Sequence, residues 1–513
     1  MSIEATLDRV ALAVSNAEPH HRDDWRERFR AILSDFRFLP SGQILAGAGT
    51  ARRTTLLNCF VAGVLEDSIQ GIFNALREAM LTLQASGGIG VDFSNLRPMG
   101  SPAVASAGTA SGPVSFMTVW EAAATALASH NARSATMMAT LRCDHPDIEA
   151  FIASKTSADA LPHFKLSVAI TDEFMRALEV DGPWALVFPL GQQPLPVGRE
   201  VCERVWSGHT EPQLCQVHRR LPARALWRKL LEAQLVSAQP SVLFTDHINR
   251  SNNLWYCEQI TSTSPGTEMP LPPNGGCPLG AINLTRFVQN AFGEHPNLDW
   301  AGLKAATSLS TRFLDGVHDI TFHPLKVQEK TARATRRIGL GVTGLADMLA
   351  MLGVRYGGAS SLELTRRIMA TIRDTAYRTS IEMAQAKGPF PEFDKLKYGA
   401  SPFVLNLSHE LQDAIAQHGI RNSHLLAVAP SGTISRLANN VSGGIGPLLS
   451  DTVSPQEQLR IASVVQSCVD GGVATTVRLP PLANALDLEL VLLQAWELGL
   501  KGCAVHPQGD ASA

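Results

Sequence analysis

The chain has few cysteines and almost no net charge. Eight cysteines in 513 residues are too few for the disulfide framework of a small secreted protein. A formal charge of −3 creates no field that would attract a polyanion, so nucleic acid is not an expected partner. No apolar run reaches the roughly 20 residues that a membrane span needs, and residues 1–30 lack the apolar core of a signal peptide. We therefore expect a cytoplasmic protein that binds neither nucleic acid nor membrane.

Metal-binding patterns are missing as well. The 15 histidines and eight cysteines show no ligand spacing, and the run Cys143-Asp144-His145 has no nearby partners for zinc. The sequence therefore predicts no metal site.

Apolar segments of two kinds alternate along the chain. Residues 4–36 have the periodicity of two amphipathic helices. Strand-like runs are found at residues 59–61, 88–91, 164–170, 241–244 and 425–429, and helical runs at 70–84, 115–129 and 360–387. This alternation predicts an α/β fold with parallel strand pairing, and periodicity alone does not distinguish a barrel from an open sheet.

Three glycine-containing turns are candidate ligand contacts. The run PSGTIS at residues 430–435 can present backbone N–H groups and hydroxyls to a phosphate, or it can be a helix start capped by Ser or Thr. The run SGGIGVDFS at residues 86–94 is either a loop that approaches a ligand closely or a simple turn beside a strand. The run GLGVTG at residues 339–344 matches the dinucleotide fingerprint, but a basic segment precedes it instead of a strand, so we interpret it as a chance match.

The most informative segment reads TSPGTE at residues 263–268, followed by GCPLGAINL at residues 276–284. It resembles the active-site loop of the ribonucleotide reductase large chain, in the vitamin-B12-dependent branch of that family. Further runs resemble the same family in the same order, including SGPVSFM at 111–117, ATLRCDHPDIE at 139–149, NLWYCE at 253–258 and GLKGC at 499–503. The similarity therefore extends over almost the whole chain.

The resemblance implies an architecture and a set of partners. It implies an N-terminal helical region at residues 1–60 and a ten-stranded α/β barrel at residues 61–513, shortened near 447–453 and so incomplete near the C-terminus. It also implies a homodimer with a nucleotide effector at Asp67. A ribonucleotide substrate and a thioredoxin-like dithiol donor are the other expected partners.

The resemblance also implies roles for individual residues. Glu268 corresponds to the general base on the ribose, and Cys59 with Cys277 to the redox pair that becomes a disulfide. The substrate-binding positions are Ser41, Asn58, Ser264, Ser431, Gly432, Thr433, Ile434 and Ser435. Without the resemblance, Glu268 reads as an exposed loop carboxylate and the two cysteines as small buried hydrophobic residues.

The chain departs from the family pattern at chemically important positions. Gly266 stands where the family has its radical-carrying cysteine, Ser264 where it has a substrate-binding Asn, and Lys165 where an Asn is typical. No tyrosine pair occurs late in the chain, so by resemblance the radical generator is adenosylcobalamin and not a separate iron subunit.

Three functions are consistent with these features. The first is cobalamin-dependent reduction of ribonucleoside diphosphates. The second is a catalytically inactive, nucleotide-binding paralogue that regulates an intact reductase, which the departures at Ser264 and Gly266 suggest. The third is an ordinary α/β enzyme that acts on another phosphate ester, for which the glycine-rich turns are the only support.

Overall fold

The computed structural model describes residues 2–102, 108–128, 136–155, 160–191, 198–448 and 453–507. The chain begins with α1 (Ile3–Ser15) and α2 (Arg22–Leu33), which pack against each other and confirm the two predicted amphipathic helices. The Ser2 hydroxyl starts α1 by accepting a hydrogen bond from the backbone N–H of Ala5, as Ser commonly does at a helix N-terminus.

Strands and helices alternate after this pair. The strands are β1 (Phe38–Pro40), β2 (Cys59–Val61), β3 (Gly88–Asp92), β4 (Met137–Arg142), β5 (Phe164–Ile170), β6 (Pro183–Pro189), β7 (Val201–Val205), β8 (Pro212–Pro222), β9 (Ser241–Phe244), β10 (Ser262–Thr263), β11 (Pro270–Leu271), β12 (Gly276–Cys277), β13 (Leu279–Asn283), β14 (Val288–Gln289), β15 (Asn297–Leu298), β16 (Gly339–Thr343), β17 (Thr476–Leu479) and β18 (Gly502–Pro507). The helices are α3 (Gly42–Gly47), α4 (Ile69–Gln84), α5 (Gly112–Ala128), α6 (Ile148–Ala153), α7 (Asp172–Glu179), α8 (Ala223–Ser237), α9 (Thr245–Arg250), α10 (Trp300–Ile320), α11 (Lys326–Thr335), α12 (Leu345–Met351), α13 (Ala359–Lys387), α14 (Lys395–Gly399), α15 (Pro402–Leu405), α16 (His409–His418), α17 (Gly432–Leu437), α18 (Pro455–Gln466) and α19 (Ala485–Glu497). Within the described ranges, none of these helices is long and apolar enough to cross a membrane.

The large sheet has eight strands in the order β12-β2-β3-β4-β5-β9-β18-β17. The five strands from β2 to β9 run parallel, so the predicted α/β fold with parallel pairing is confirmed. Most of their side chains are buried, as expected for parallel strands that helices cover. The strands predicted at residues 59–61, 88–91, 164–170 and 241–244 correspond to β2, β3, β5 and β9.

A second, three-stranded sheet has the order β1-β13-β16. Its strand β13 follows β12 directly after Pro278, and β1 pairs with β13 through Phe38 and Ile282. Residues 425–429, predicted as a strand, form isolated parallel bridges: Leu426 to Leu340 of β16, and Val428 to Val473. These bridges continue the three-stranded sheet towards β17.

A short hairpin of β10 and β11 lies against the inner side of the large sheet. Ser262 pairs with Leu271, and the backbone of the hairpin passes so close to β3 that a Cβ atom on Gly90 would lie 2.0 Å from the carbonyl oxygen of Thr263. Glycine at position 90 therefore permits this close approach. The turn at residues 264–269 is held inside the fold, where the Glu268 carbonyl accepts a hydrogen bond of 3.0 Å from the backbone N–H of Gly472.

The structure supports the interpretation of residues 339–344 as a chance match to the dinucleotide fingerprint. Gly339 and Gly341 lie within β16, whereas a dinucleotide fingerprint has its glycines after a strand. Of the predicted shortening near residues 447–453, residues 449–452 lie outside the described part of the chain.

Candidate active site

A cavity of about 490 Å³ opens at the amino ends of β2, β3, β4 and β5. Its lining includes most of the residues that the sequence predicted for substrate binding and catalysis: Ser41, Asn58, Cys59, Gly266, Glu268, Ser431, Gly432, Thr433 and Ile434. Three predicted residues do not line it. Ser264 and Cys277 are buried beside the cavity, and Ser435 lines a neighbouring one.

One end of the cavity is formed by the turn that leads into α17. Ser431 has a left-handed backbone (φ 60°), and its hydroxyl bonds to the Ala429 carbonyl at 3.1 Å instead of capping the helix. The alternative of a helix start capped by this side chain is therefore wrong. The N–H groups of the first helical turn have no partner within the helix. The exposed side chains of Thr433 and Arg436 line the cavity beside this turn.

Cys59 and Cys277 are directly opposite each other on the antiparallel strands β2 and β12. Residues paired in this way have Cα atoms about 4.5–5.5 Å apart, which is within the range that a disulfide requires. Both thiols are free and buried, and burial raises the pKa of each above its ordinary value. The raised pKa values favour the protonated thiols, and the paired positions of the two residues suit disulfide formation.

Glu268 occupies the space beside Gly266. A Cβ atom at position 266 would lie 2.0 Å from Oε2 of Glu268, so the carboxyl group takes the volume in which a side chain at 266 would begin. The other oxygen, Oε1, lies 3.6 Å from the Sγ atom of Cys59. Glu268 is only 4% exposed, so the alternative of an exposed loop carboxylate is wrong. Burial raises its pKa.

Several buried polar atoms at the cavity have no hydrogen-bond partner among the described residues. They are the hydroxyl of Ser41, Oε1 of Gln43, Oδ1 of Asn58 and Oε2 of Glu268. Buried polar atoms in folded proteins are nearly always satisfied by protein, water or ligand. Four such atoms around one cavity indicate a site for a polar ligand.

Asp67, predicted to hold an effector, lies away from this cavity in front of α4. Its Oδ2 accepts a hydrogen bond of 2.7 Å from Nε of Arg97, and its Oδ1 accepts one of 3.1 Å from the Arg97 backbone N–H. The structure therefore does not bring Asp67 together with the other predicted site residues.

The sequence prediction missed some residues of the cavity. Gln43, Thr136 and Arg436 line it, and so does Lys165, which the sequence marked only as a departure from the family pattern. Arg436 directly follows the PSGTIS run, and this proximity was the one signal that could have identified it. No metal cluster of three or more His, Cys, Asp or Glu side chains is found in the ranges that the structure describes.

The fold and the cavity define an α/β protein with a polar site that is lined by the Cys59 thiol, with the Cys277 thiol buried beside it. Comparison with known families identifies which one. Residues 57–454 match the model of the ribonucleotide reductase barrel domain, and residues 1–53 match that of the ribonucleotide reductase all-alpha domain. The chain belongs to the ribonucleotide reductase large-subunit family, so the predicted resemblance is confirmed.

Curated relatives agree with this assignment. The chain is 31% identical to a vitamin B12-dependent ribonucleoside-diphosphate reductase of Mycobacterium tuberculosis (strain CDC 1551 / Oshkosh), over 98% of this chain and 74% of the relative. It is 34% identical to a protein of the same name from Thermoplasma acidophilum, over 82% of this chain and 49% of the relative. A ribonucleoside-diphosphate reductase large subunit of Variola virus is 27% identical, over 80% of this chain and 55% of the relative.

Proposed function

We propose that this chain binds a ribonucleoside diphosphate in the cavity between β2 and the turn before α17. The observation that carries the proposal is the combination, around one cavity, of the turn at residues 430–434 and Arg436 with the Cys59 thiol and the Glu268 carboxyl. A helix start with exposed hydroxyls and an arginine suits a phosphate. Ser41 and Asn58 supply unpaired polar atoms for the rest of the ligand.

Reduction of the bound ribonucleotide is the first candidate activity, and the names of the relatives support it. In that reaction, two S–H bonds at Cys59 and Cys277 are broken and one S–S bond is formed. At the ribose carbon the C–O bond breaks and a C–H bond forms: the two electrons and one proton make the C–H bond, and the second proton leaves with the hydroxyl as water. A thioredoxin-like dithiol would then return the pair to thiols. The opposed positions of Cys59 and Cys277 support this role.

Gly266 and the neighbouring Glu268 do not fit the adenosylcobalamin chemistry that the relatives' name implies. Cobalamin supplies a radical, and the family mechanism needs a thiol at this position to receive it. Gly266 has no side chain, and Glu268 fills the space where one would begin. A radical from cobalamin therefore has no thiol at position 266 to receive it.

Binding without turnover is the second candidate function, and the contact between Gly266 and Glu268 favours it. With Oε2 of Glu268 in the place of a side chain at 266, the cavity keeps its ligand contacts and loses the group that starts the reaction. We therefore favour a ribonucleotide-binding member of the family that regulates an intact reductase.

We also propose a homodimer interface and an effector site at the surface near Asp67. Ile69 and Phe73 of α4 are 65% and 49% exposed, and Val119 of the adjoining α5 is 39% exposed. An apolar face on two packed helices suits a contact with a second copy of the chain. A homodimer through this face, with an effector nucleotide near Asp67, would be consistent with the family.

The ten-stranded barrel is also a proposal. The antiparallel pairs of β2 with β12 and of β9 with β18 join two sets of parallel strands. The bridges at Leu426 and Val428 support a continuous set of strands from β13 and β16 towards β17.

The domain boundary at residue 60 and the cytoplasmic location stay predictions.

Ribonucleotide binding can be tested at Gly432, where a Cβ atom would meet nothing within 4 Å. Gly432→Glu places a negative charge at the proposed phosphate turn, and Gly432→Gln is the neutral control of similar shape. Equilibrium dialysis with labelled ribonucleoside diphosphates should give binding to the parent chain, at least about tenfold weaker binding to the Glu variant, and a smaller loss for the Gln variant. Failure of the parent chain to bind any of them would refute the proposal.

Turnover is tested with the same ligands, a dithiol, and adenosylcobalamin added or omitted. We expect bound ribonucleotide and no deoxyribonucleotide. Deoxyribonucleotide formation by a chain verified to carry Gly266 would establish reduction and overturn the regulatory role.

A further inference from the structure

The cavity has a fixed order of chemical groups along it, which follows from the strand order. From one side of the cavity to the other, β5, β4, β3, β2 and β12 are neighbours in the large sheet. After β12 the chain continues into β13, which pairs with β16, and β16 contacts the segment that leads to the turn before α17. The thiol of Cys59 on β2 thus lies between the phosphate turn and β5.

Lys165 is at the end of the cavity opposite the phosphate turn. It is the second residue of β5, three strands from β2, which is roughly 14 Å at the usual strand spacing. Phe164 and Leu166 on either side are buried in the core, so the alternation of the strand turns Lys165 to the cavity side. Its side chain is exposed and lines the cavity.

The backbone at Lys165 is held firmly. The buried ammonium of Lys155 donates hydrogen bonds to the carbonyls of Leu161 (3.1 Å) and Phe164. The backbone N–H of Leu166 donates to Oε1 of Gln239 at 2.9 Å. By contrast, the Lys165 ammonium forms no hydrogen bond or ion pair within the described ranges; Glu268 is close enough for its charge to interact with that of Lys165. A fixed strand therefore presents to the cavity an ammonium group that has no hydrogen-bond partner among the described residues.

We propose that Lys165 selects the base of the bound nucleotide, and that the preferred ligands carry guanine or uracil. This inference rests on the proposed function. With the phosphates at residues 430–436 and the ribose beside Cys59 and Glu268, the base extends towards β5. An ammonium group only donates hydrogen bonds. It therefore favours O6 of guanine and O4 of uracil over the amino groups that adenine and cytosine carry at the corresponding positions.

The selectivity is measured by calorimetric titration of the full chain with the guanosine, uridine, adenosine and cytidine diphosphates. We expect the parent chain to bind the first two about tenfold more tightly than the last two. Lys165→Met removes the charge at similar length, and Lys165→Gln offers both a donor and an acceptor. Both variants should lose the preference while still binding the adenosine and cytidine compounds. Lys395→Met, at an exposed lysine outside the cavity, should leave all four affinities unchanged.

The outcomes separate this inference from the proposed function. If the parent chain binds all four ligands equally, or if Lys165→Met weakens all four by the same factor, Lys165 does not read the base and the inference is overturned. Binding of none of the four by the parent chain would instead overturn the proposed function itself. Circular dichroism and thermal unfolding verify that each variant is folded before titration.

Discussion

The Sγ atom of Cys59 lies 3.6 Å from Oε1 of Glu268 in a buried part of the cavity. The pKa of Cys59 is raised first by burial, then by the charge of Glu268, and then by Cys277. A carboxylate next to a thiol disfavours the thiolate because it adds a second negative charge to an apolar site. Burial and the neighbouring Glu268 therefore keep Cys59 as an unreactive thiol when no ligand is bound.

Neutralising Glu268 should make Cys59 more reactive. In Glu268→Gln the neighbouring charge is gone, so the pKa of Cys59 falls and the thiolate fraction at a fixed pH rises, by about two- to tenfold. The rate of alkylation by iodoacetamide, followed at the Cys59 peptide by mass spectrometry across pH, measures this change. Glu268→Asp keeps the charge and serves as the control. Coincident pH profiles for the parent chain and the Gln variant would contradict the assignment.

A side chain at position 266 should be tolerated only if Glu268 moves. Gly266→Ala places a Cβ atom 2.0 Å from Oε2 of Glu268, and we expect it to lower the free energy of unfolding by about 1 kcal/mol. In a Glu268→Ala background the same substitution should cost little, because the conflicting group is absent. The coupling comes from a double-mutant cycle by urea unfolding. Equal costs in both backgrounds would show that the two positions do not compete for space.

The secondary structure at the site could be predicted from the sequence, and the arrangement within it could not. The apolar runs that become β2, β3 and β5 are visible because parallel strands are buried on both sides. The run at residues 425–429 has the same composition and forms only single bridges, because strand pairing depends on partners distant in sequence. The position of the buried Glu268 carboxyl against Gly266 is a tertiary arrangement, which no local pattern reports.

Resemblance to the family supplied residues that physical patterns alone did not. Cys59 and Cys277 are far apart in the sequence, and only the pairing of β2 with β12 brings them together. Their identity as a pair could therefore be inferred from a family and not from spacing. The acceptors of Asp67 are engaged by Arg97, a tertiary contact that the sequence did not indicate.

Mild oxidation should produce disulfides at two cross-strand cysteine pairs. Cys59 faces Cys277 on β2 and β12, and Cys202 faces Cys215 on the antiparallel strands β7 and β8. Paired positions of this kind meet the Cα separation of a disulfide. With diamide as the oxidant, each pair should lose two hydrogens and diamide should gain them.

The Cys202 pair should react first, because Cys202 is partly exposed whereas Cys59 and Cys277 are both buried. Peptide mapping under non-reducing conditions, with Cys202→Ser and Cys277→Ser as controls, identifies the bonds and their order. Mixed pairing between these four cysteines would contradict the register of the strands.

The stability of the fold should fall as the pH is lowered from about 6.5 towards 4, partly through His145. The His145 ring is buried: its Nε2–H donates to the Leu96 carbonyl at 2.9 Å, and its Nδ1 accepts from the Asp147 backbone N–H at 3.0 Å. Burial lowers the pKa of His145 to about 4, so the unfolded chain takes up the proton at a higher pH than the folded chain does. Between pH 7 and pH 5 this one group should remove about 2 kcal/mol of stability.

This pH effect is isolated with His145→Gln, which keeps an uncharged donor and acceptor at the same site. Urea unfolding at pH 7 and at pH 5 should show that the variant, although less stable at pH 7, loses about 2 kcal/mol less than the parent chain on acidification. His295→Gln, at an exposed position, should behave like the parent chain at both pH values. An identical loss in the parent chain and in His145→Gln would mean that the acid sensitivity arises from other groups.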